Sequence, residues 1–287
     1  MTSPVSVASS ASAAPPATTA PAATAATTAP VAPSSSVLEA VDLVMDYRHD
    51  LARARTARTV TGEPRAPIAD ALAQQPLALN HVHCVLHAGE SVAVMGPSGS
   101  GKSTLLHAMA GIIRPTGGEV LYHGGDIGAM TDRDRTALRR RSFGFVFQSG
   151  QLLPELGAVE NIALPMMLDG APYDQATDAA VLWLERLGLR ALAAQRPGEM
   201  SGGQMQRVAI ARALCIHPDV VFADEPTGAL DQITGREVMD ILMRAARSCD
   251  AAVIVVTHDP NVARCCQRTL MMRDGRLLPS QTPEVSR

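Results

Sequence analysis

Aromatic side chains are scarce: four Phe, three Tyr and one Trp make up 3% of a 287-residue chain that is 46% hydrophobic. A core of any size must therefore be aliphatic. Long apolar runs are missing too. Nothing approaches the ~20 residues that a helix needs to cross a bilayer, and the longest buried-looking run, 251–256, has the length of a strand. Any link to a membrane then has to go through another protein. The five cysteines, Cys84, Cys215, Cys249, Cys265 and Cys266, form no C-x-x-C pair. That excludes a metal ribbon or a disulfide framework and fits reduced thiols in cytosol. A net charge of −3 gives no electrostatic reason to expect nucleic acid as a partner. Charge is absent altogether before Glu39, and residues 1–36 are almost all Ala, Ser, Thr, Pro and Val. Such a tract buries too little apolar surface to offset its ordering entropy. It lacks the basic start and apolar centre of a secretory signal and the arginines of a transit peptide, so it reads as a disordered tail.

What is present is organised around one stretch, Gly96-Pro97-Ser98-Gly99-Ser100-Gly101-Lys102-Ser103-Thr104. It has the G-x-x-x-x-G-K-S spacing of a phosphate-binding loop. An apolar run, 90–95, precedes it with strand length, and good helix formers with Leu105, Leu106 and Met109 on one face follow it. Glycines let the backbone wrap a phosphate without a Cβ in the way. The converging N–H groups and the helix N-terminus supply positive potential. Lys102 reaches the β- and γ-phosphates and the Ser103 hydroxyl holds Mg²⁺ in such a loop.

Around this loop the chain alternates strands and helices, the pattern of a mostly parallel, covered sheet. Strands are expected at 37–46, 77–87, 117–122, 143–147, 220–223 and 252–256, with helices at 131–141, 174–187, 205–215 and 234–249. Gly188 stops the second of these helices, and Thr234-x-x-Glu237 reads as a capping box opening the last. Between strands, 48–76 carries five arginines and three prolines with no period that holds, an irregular surface insertion. Residues 149–199 differ in texture, with apolar clusters broken by Pro154, Pro165 and Pro172, and read as a small helical subdomain inserted into the α/β core.

Two further stretches carry chemistry. The apolar run 218–223 ends in Asp224-Glu225. Ligands sit at that end of a strand in an open α/β sheet. Asp224 suits Mg²⁺ beside Ser103, and Glu225 can polarise an attacking water. Met200-Ser201-Gly202-Gly203-Gln204 opens a helix that Ser201 can cap, with two glycines for close backbone approach. That is a second phosphate-binding helix N-terminus.

MSGGQMQRVAIARAL closely resembles the signature of ATP-binding cassette (ABC) ATPases, usually L-S-G-G-Q. With it, 96–104, Gln148, Asp224-Glu225, Gly228-Ala229-Leu230-Asp231 and His258 look like that family's phosphate loop, Q-loop, second acidic motif, D-loop and switch histidine, in the family's order. The resemblance spans about 37–280, leaving tails at 1–36 and 281–287. It implies a P-loop NTPase fold of ABC ATPase type, with a β-rich N-terminal part and a helical subdomain. It implies ATP and Mg²⁺ as ligands and a homodimer in which the loop of one subunit holds ATP against the signature of the other. Under it Gln148 contacts Mg²⁺ or the attacking water, His258 touches the γ-phosphate, Asp231 couples the two sites of the dimer and Tyr47 stacks on adenine. Met200 in place of leucine and the length of 48–76 depart from the usual pattern.

Residues 145–170 and 226–242 resemble the macrolide-export and lipoprotein-release branch (MacB/LolD-like). That resemblance implies a separate integral membrane permease of FtsX-like type, with the chain at the cytoplasmic face of the cell membrane. Residues 152–168 are the expected permease-facing surface, about half of them packing inside the subdomain. Two outcomes share every site residue: an ATPase that energises transport, and one that gates or mechanically drives a membrane partner without moving a solute.

Overall fold

Unbroken apolar runs decide the architecture, because successive side chains point to opposite faces of a strand and a run apolar throughout gives one sheet two buried faces. In the computed structural model, residues 36–47 and 76–279 are described; the 1–35 part of the tail, 48–75 of the insertion and 280–287 lie outside them. Strands β3 (Ser91–Met95), β6 (Phe143–Phe147), β7 (Val220–Asp224), β8 (Ala252–Thr257), β9 (Arg268–Arg273) and β10 (Arg276–Leu277) form a six-stranded sheet in the order β10-β9-β3-β8-β7-β6. Its pairings are parallel apart from the terminal β9–β10 hairpin.

A smaller antiparallel sheet, β2-β1-β4-β5, is made by β1 (Ser36–Met45), β2 (Leu79–His87), β4 (Gly117–Tyr122) and β5 (Gly125–Asp126). Val92, Val94, Val220, Phe222, Ala252, Ile254 and Val256 pack towards it, together with Leu105, Leu106 and Met109 of α1 (Lys102–Met109). The intervening residues Val221, Ala223, Val253 and Val255 face a separate aliphatic cluster. Helices α3 (Ala158–Leu168), α4 (Tyr173–Arg186), α5 (Gly202–Leu214) and α6 (Gln232–Arg247) contribute to that second cluster. The exposed α2 (Asp132–Ser142), capped by Thr131, and the short α7 (Pro260–Ala263) complete the helices in the described residues.

Three local expectations are corrected. The capping box at Thr234 and Glu237 does not form: α6 starts earlier, at Gln232, because Asp231 accepts the N–H groups of Ile233 and Thr234 at 3.0 Å each. Glu237 instead lies 3.4 Å from Arg207 Nη2 of α5. Pro165 does not break the chain, since α3 runs through it to Leu168. Packing of Ala158, Ile162 and Ala163 in the core outweighs one missing backbone hydrogen bond. The signature helix begins at Gly202 rather than Met205, because Ser201 and Gln204 form a reciprocal cap. Tertiary and capping contacts decided all three, against propensity.

Candidate functional site

Strand register lines up the site. Met95 pairs with Thr257, Val256 with Asp224, and Asp224 with Phe147. The next residues past that row are Gly96, His258, Glu225 and Gln148, so four distant motifs meet at the C-terminal edge of one sheet, where α/β ligands bind.

In the phosphate loop, two glycines are required by their surroundings. A Cβ on Gly96 would stand 2.1 Å from Met272 O, and one on Gly101, at φ +101°, would stand 2.2 Å from Ala78 O. The loop is thus clamped from behind by β9 and by the residue before β2. Gly101 is the N-cap of α1 and supplies no side-chain cap, so the first-turn amides of that helix are left for an anion. Ser100 is 3% exposed and its Oγ has no hydrogen-bond partner. An orphaned hydroxyl in a cradle with no room for a Cβ fits a phosphate. Lys102 Nζ donates to Gly96 O at 2.9 Å and Pro97 O at 3.0 Å, which arches the side chain back over the loop. Tyr47 is 43% exposed and its hydroxyl donates to Thr104 Oγ1 at 3.4 Å, placing the ring beside the start of α1.

The acidic end of β7 meets this loop. Ser103 Oγ donates to Asp224 Oδ1 at 3.1 Å, which brings a hydroxyl and a carboxylate together as hard oxygen ligands suited to Mg²⁺. Burial raises the Asp224 carboxyl above its ordinary value, and the Ser103 hydrogen bond lowers it in part. Glu225 has φ +48°, a left-handed backbone that a non-glycine adopts at a cost. Its N–H donates to Val256 O at 2.9 Å, and its carbonyl accepts from Gly228 N–H at 2.9 Å. Its Oε1 lies 2.8 Å from His258 Nδ1, a bond made when Nδ1 carries the proton. Carboxylate and imidazole are thereby oriented as a pair, the arrangement of a base with its orienting partner.

Gln148 is exposed and lies over Gly228, where an added Cβ would stand 2.8 Å from Gln148 Nε2. The signature packs on the same region. Gly203 is buried and an added Cβ would stand 2.6 Å from Thr234 Cγ2; at Gly202 the neighbour is Leu230 Cδ2 at 3.1 Å. Ser201 Oγ accepts from Gln204 N–H at 3.3 Å, and Gln204 Oε1 accepts from Ser201 N–H at 2.8 Å. Asp231, exposed at the N-terminus of α6, has its carboxyl held below the ordinary range by its Thr234 hydrogen bonds. The structure therefore gathers Gly96 to Thr104, Gln148, Asp224, Glu225 and His258 on one edge. It sets Ser201 to Gln204 against Leu230 and Thr234; among the described residues no hydrogen bond joins residues 201–204 to residues 96–104.

Sequence reasoning missed three polar residues, two of which, Gln206 and Arg212, hold the turn around Gln148 from behind. Asn161, fully buried, accepts Leu153 N–H at 2.8 Å and donates to the carbonyls of Leu153, Leu156 and Gly157 at 3.1 Å each. Gln206, 2% exposed, donates to Phe147 O at 2.9 Å, and Arg212 donates to Gly150 O and Gln151 O at 2.7 Å. Asn161 and Gln206 sit at apolar-stripe positions of helices, a polar residue where the pattern asks for an aliphatic one; that is the signal available in the sequence.

The ABC transporter family matches residues 79–228. The ABC transporter ATP-binding protein YknY of Bacillus subtilis is 43% identical over 208 residues, 72% of this chain and 90% of that protein. The lipoprotein-releasing system ATP-binding protein LolD of Paramagnetospirillum magneticum is 47% identical over 193 residues, 67% of this chain and 85% of that protein. Among solved structures, a dimeric post-hydrolysis state of the ATP-binding cassette MJ0796, bound to ADP and Pi, superposes with a TM-score of 0.68 at 35% identity, covering 84% of this chain and 97% of that one. With the strand-end constellation and these matches together, the chain belongs to the ABC transporter family as an ATP-binding subunit that hydrolyses ATP.

Proposed function

We propose that the chain energises a separate integral membrane permease, of the FtsX-like type, as a homodimer at the cytoplasmic face of the cell membrane. In this reading Mg²⁺ is held by Ser103 and Asp224, with Gln148 near it, and when bound it neutralises charge on the phosphate oxygens. Lys102 and the loop amides clamp the phosphates. Glu225 takes a proton from the attacking water, and His258 holds that carboxylate while touching the γ-phosphate. Ser201 to Gln204 presents a capped helix N-terminus to the nucleotide of the other subunit, Asp231 couples the two sites, and Tyr47 stacks on adenine. The domain runs 37–280, with 149–199 as its helical part.

The observation that carries the permease assignment is an apolar groove of about 640 Å³ behind Gln148. Phe145, Phe147, Ile112, Leu164, Leu168 and Ile216 line it, and Leu168 is 62% exposed. It borders the edge strand β6, which leads into Gln148, so an element seated there bears on the catalytic row. No helix of the described residues is long and apolar enough to cross a membrane, which supports a partner that does. The LolD relative's role in lipoprotein release supports the FtsX-like branch.

The test is membrane recovery on co-expression with a candidate FtsX-like permease. The chain is expected to sediment with membranes, and Leu168→Glu to reduce that recovery at least ~10-fold through an uncompensated charge in an apolar contact. Recovery unaffected by Leu168→Glu would remove the groove from the assignment.

A further inference from the structure

Arg212 in the last turn of α5 is a half-buried cation whose hydrogen-bond partners, among the described residues, are backbone carbonyls rather than a carboxylate. Its Nη1 donates to Gln151 O and its Nη2 to Gly150 O, both at 2.7 Å. Burial lowers its pKa from the ordinary arginine value. Taking a guanidinium out of water to serve two neutral carbonyls is costly unless the geometry it fixes is needed. Those carbonyls belong to a turn with two successive left-handed residues, Gly150 at φ +70° and Gln151 at φ +46°. A residue other than glycine is held in such a conformation by its surroundings.

Six residues earlier on α5, Gln206 grips the other side of the turn through Phe147 O at 2.9 Å. Its Oε1 would be 3.4 Å from a Cβ on Gly150. Helix α5 lies directly on β6, since a Cβ on Gly144 would stand 2.4 Å from Ala213 O. Gln148 sits between the two grips, one residue after Phe147 and two before Gly150.

We propose that Arg212 and Gln206 are positioning residues through which the signature helix holds the 147–151 turn and sets the amide of Gln148 at the reacting edge of the sheet. This rests on the reading of Gln148 as a site residue. Because Ser201 to Gln204 form the other end of the same helix, a displacement of α5 carries the catalytic turn with it. Arginine is needed rather than lysine because one planar fork reaches two carbonyls, which a single ammonium on a flexible stem does not fix.

The experiment compares Mg-ATP turnover by the full chain carrying Gln148→Ala, Gln206→Ala, Arg212→Lys, or Gln148→Ala with Arg212→Lys, at a temperature where circular dichroism shows every variant folded. Arg212→Lys and Gln206→Ala are expected to lower kcat ~10-fold with KM for ATP within about threefold of the parent, the split expected when transition-state positioning is lost. In the Gln148→Ala background, Arg212→Lys is expected to cost no further kcat, because residues acting through one group are non-additive. The proposal is overturned if Gln148→Ala is impaired while Arg212→Lys turns over within twofold of the parent, or if the two losses multiply in the double variant. If Gln148→Ala itself turns over normally, the reading of Gln148 fails first and the proposal falls with it.

Discussion

Lys102 is the single lysine in the chain; every other long cationic side chain is arginine. At this position a compact ammonium satisfies Gly96 O and Pro97 O at about hydrogen-bond distance while keeping a third donor for a phosphate. A planar guanidinium is larger and has a fixed fork, and the loop around it is closed by Met272 and Ala78. Lys102→Arg is therefore expected to lose at least ~100-fold in ATP turnover, measured as phosphate release, even though charge is conserved. Asp224 makes the opposite trade. Its folded carboxyl is raised by burial, so folding favours the protonated form. The stability from that preference is present at low pH and is lost as pH rises through the folded value, leaving the ionised carboxylate a net cost to the fold near neutrality. Asp224→Asn is expected to raise the melting temperature of the nucleotide-free protein at pH 7 while reducing turnover at least ~100-fold. A lower melting temperature would show that the carboxylate is structural.

Among the elements, the glycine pair of the signature has a packing purpose besides the phosphate contact proposed for it. Gly203 lets the start of α5 lie against Thr234 of α6, where a Cβ would come within 2.6 Å of Cγ2. Gly203→Ala is expected to destabilise the nucleotide-free protein by about 1–3 kcal/mol through overpacking. Thr234→Ser, which removes that methyl, is expected to restore most of it in the double variant. Chemical denaturation checks both, and failure of the rescue would mean the strain lies elsewhere. Strands β7 and β8 and the Ser201 cap of α5 were legible in the sequence, because Val220 to Ala223 and Ala252 to Val256 are unbroken apolar runs and Ser201 is a side-chain cap; the reciprocal Gln204 bond, which moves the helix start to Gly202, was not. The start of α6 was not, because Asp231 and Thr234 both offer a plausible cap and the choice is made by the Asp231 carboxylate accepting the Ile233 and Thr234 N–H groups. Pro165 misled because the local cost is visible in the sequence while the burial of Ile162 and Ala163 is not. Asn161 and Gln206 show in the sequence only as polar residues at apolar-stripe positions; what they and Arg212 hold was not legible, because their partners are backbone carbonyls and an amide, which leave no trace in residue identity.

For the whole molecule, the loop 96–104 and the signature 201–204 are held by different neighbours, Met272 and Ala78 for one and Leu230 and Thr234 for the other. Among the described residues, one chain thus displays two helix N-termini, after Gly101 and after Ser201, that it does not join to each other. In the proposed dimer a second copy would supply its signature to the first copy's loop and complete both sites at once, the closed two-fold arrangement of a self-complementary dimer. Nucleotide would then lie between subunits, and its cleavage would loosen them. Removing the proposed base while keeping its shape should trap the state before cleavage, since Glu225→Gln retains a hydrogen-bonding partner for His258 but could not accept the water's proton. The decisive measurement is the mass of Glu225→Gln by light scattering with Mg-ATP. A dimer is expected with ATP, a monomer without it, and loss of the dimer when Ser201→Arg is added; a variant that binds ATP yet stays monomeric would rule out the shared site.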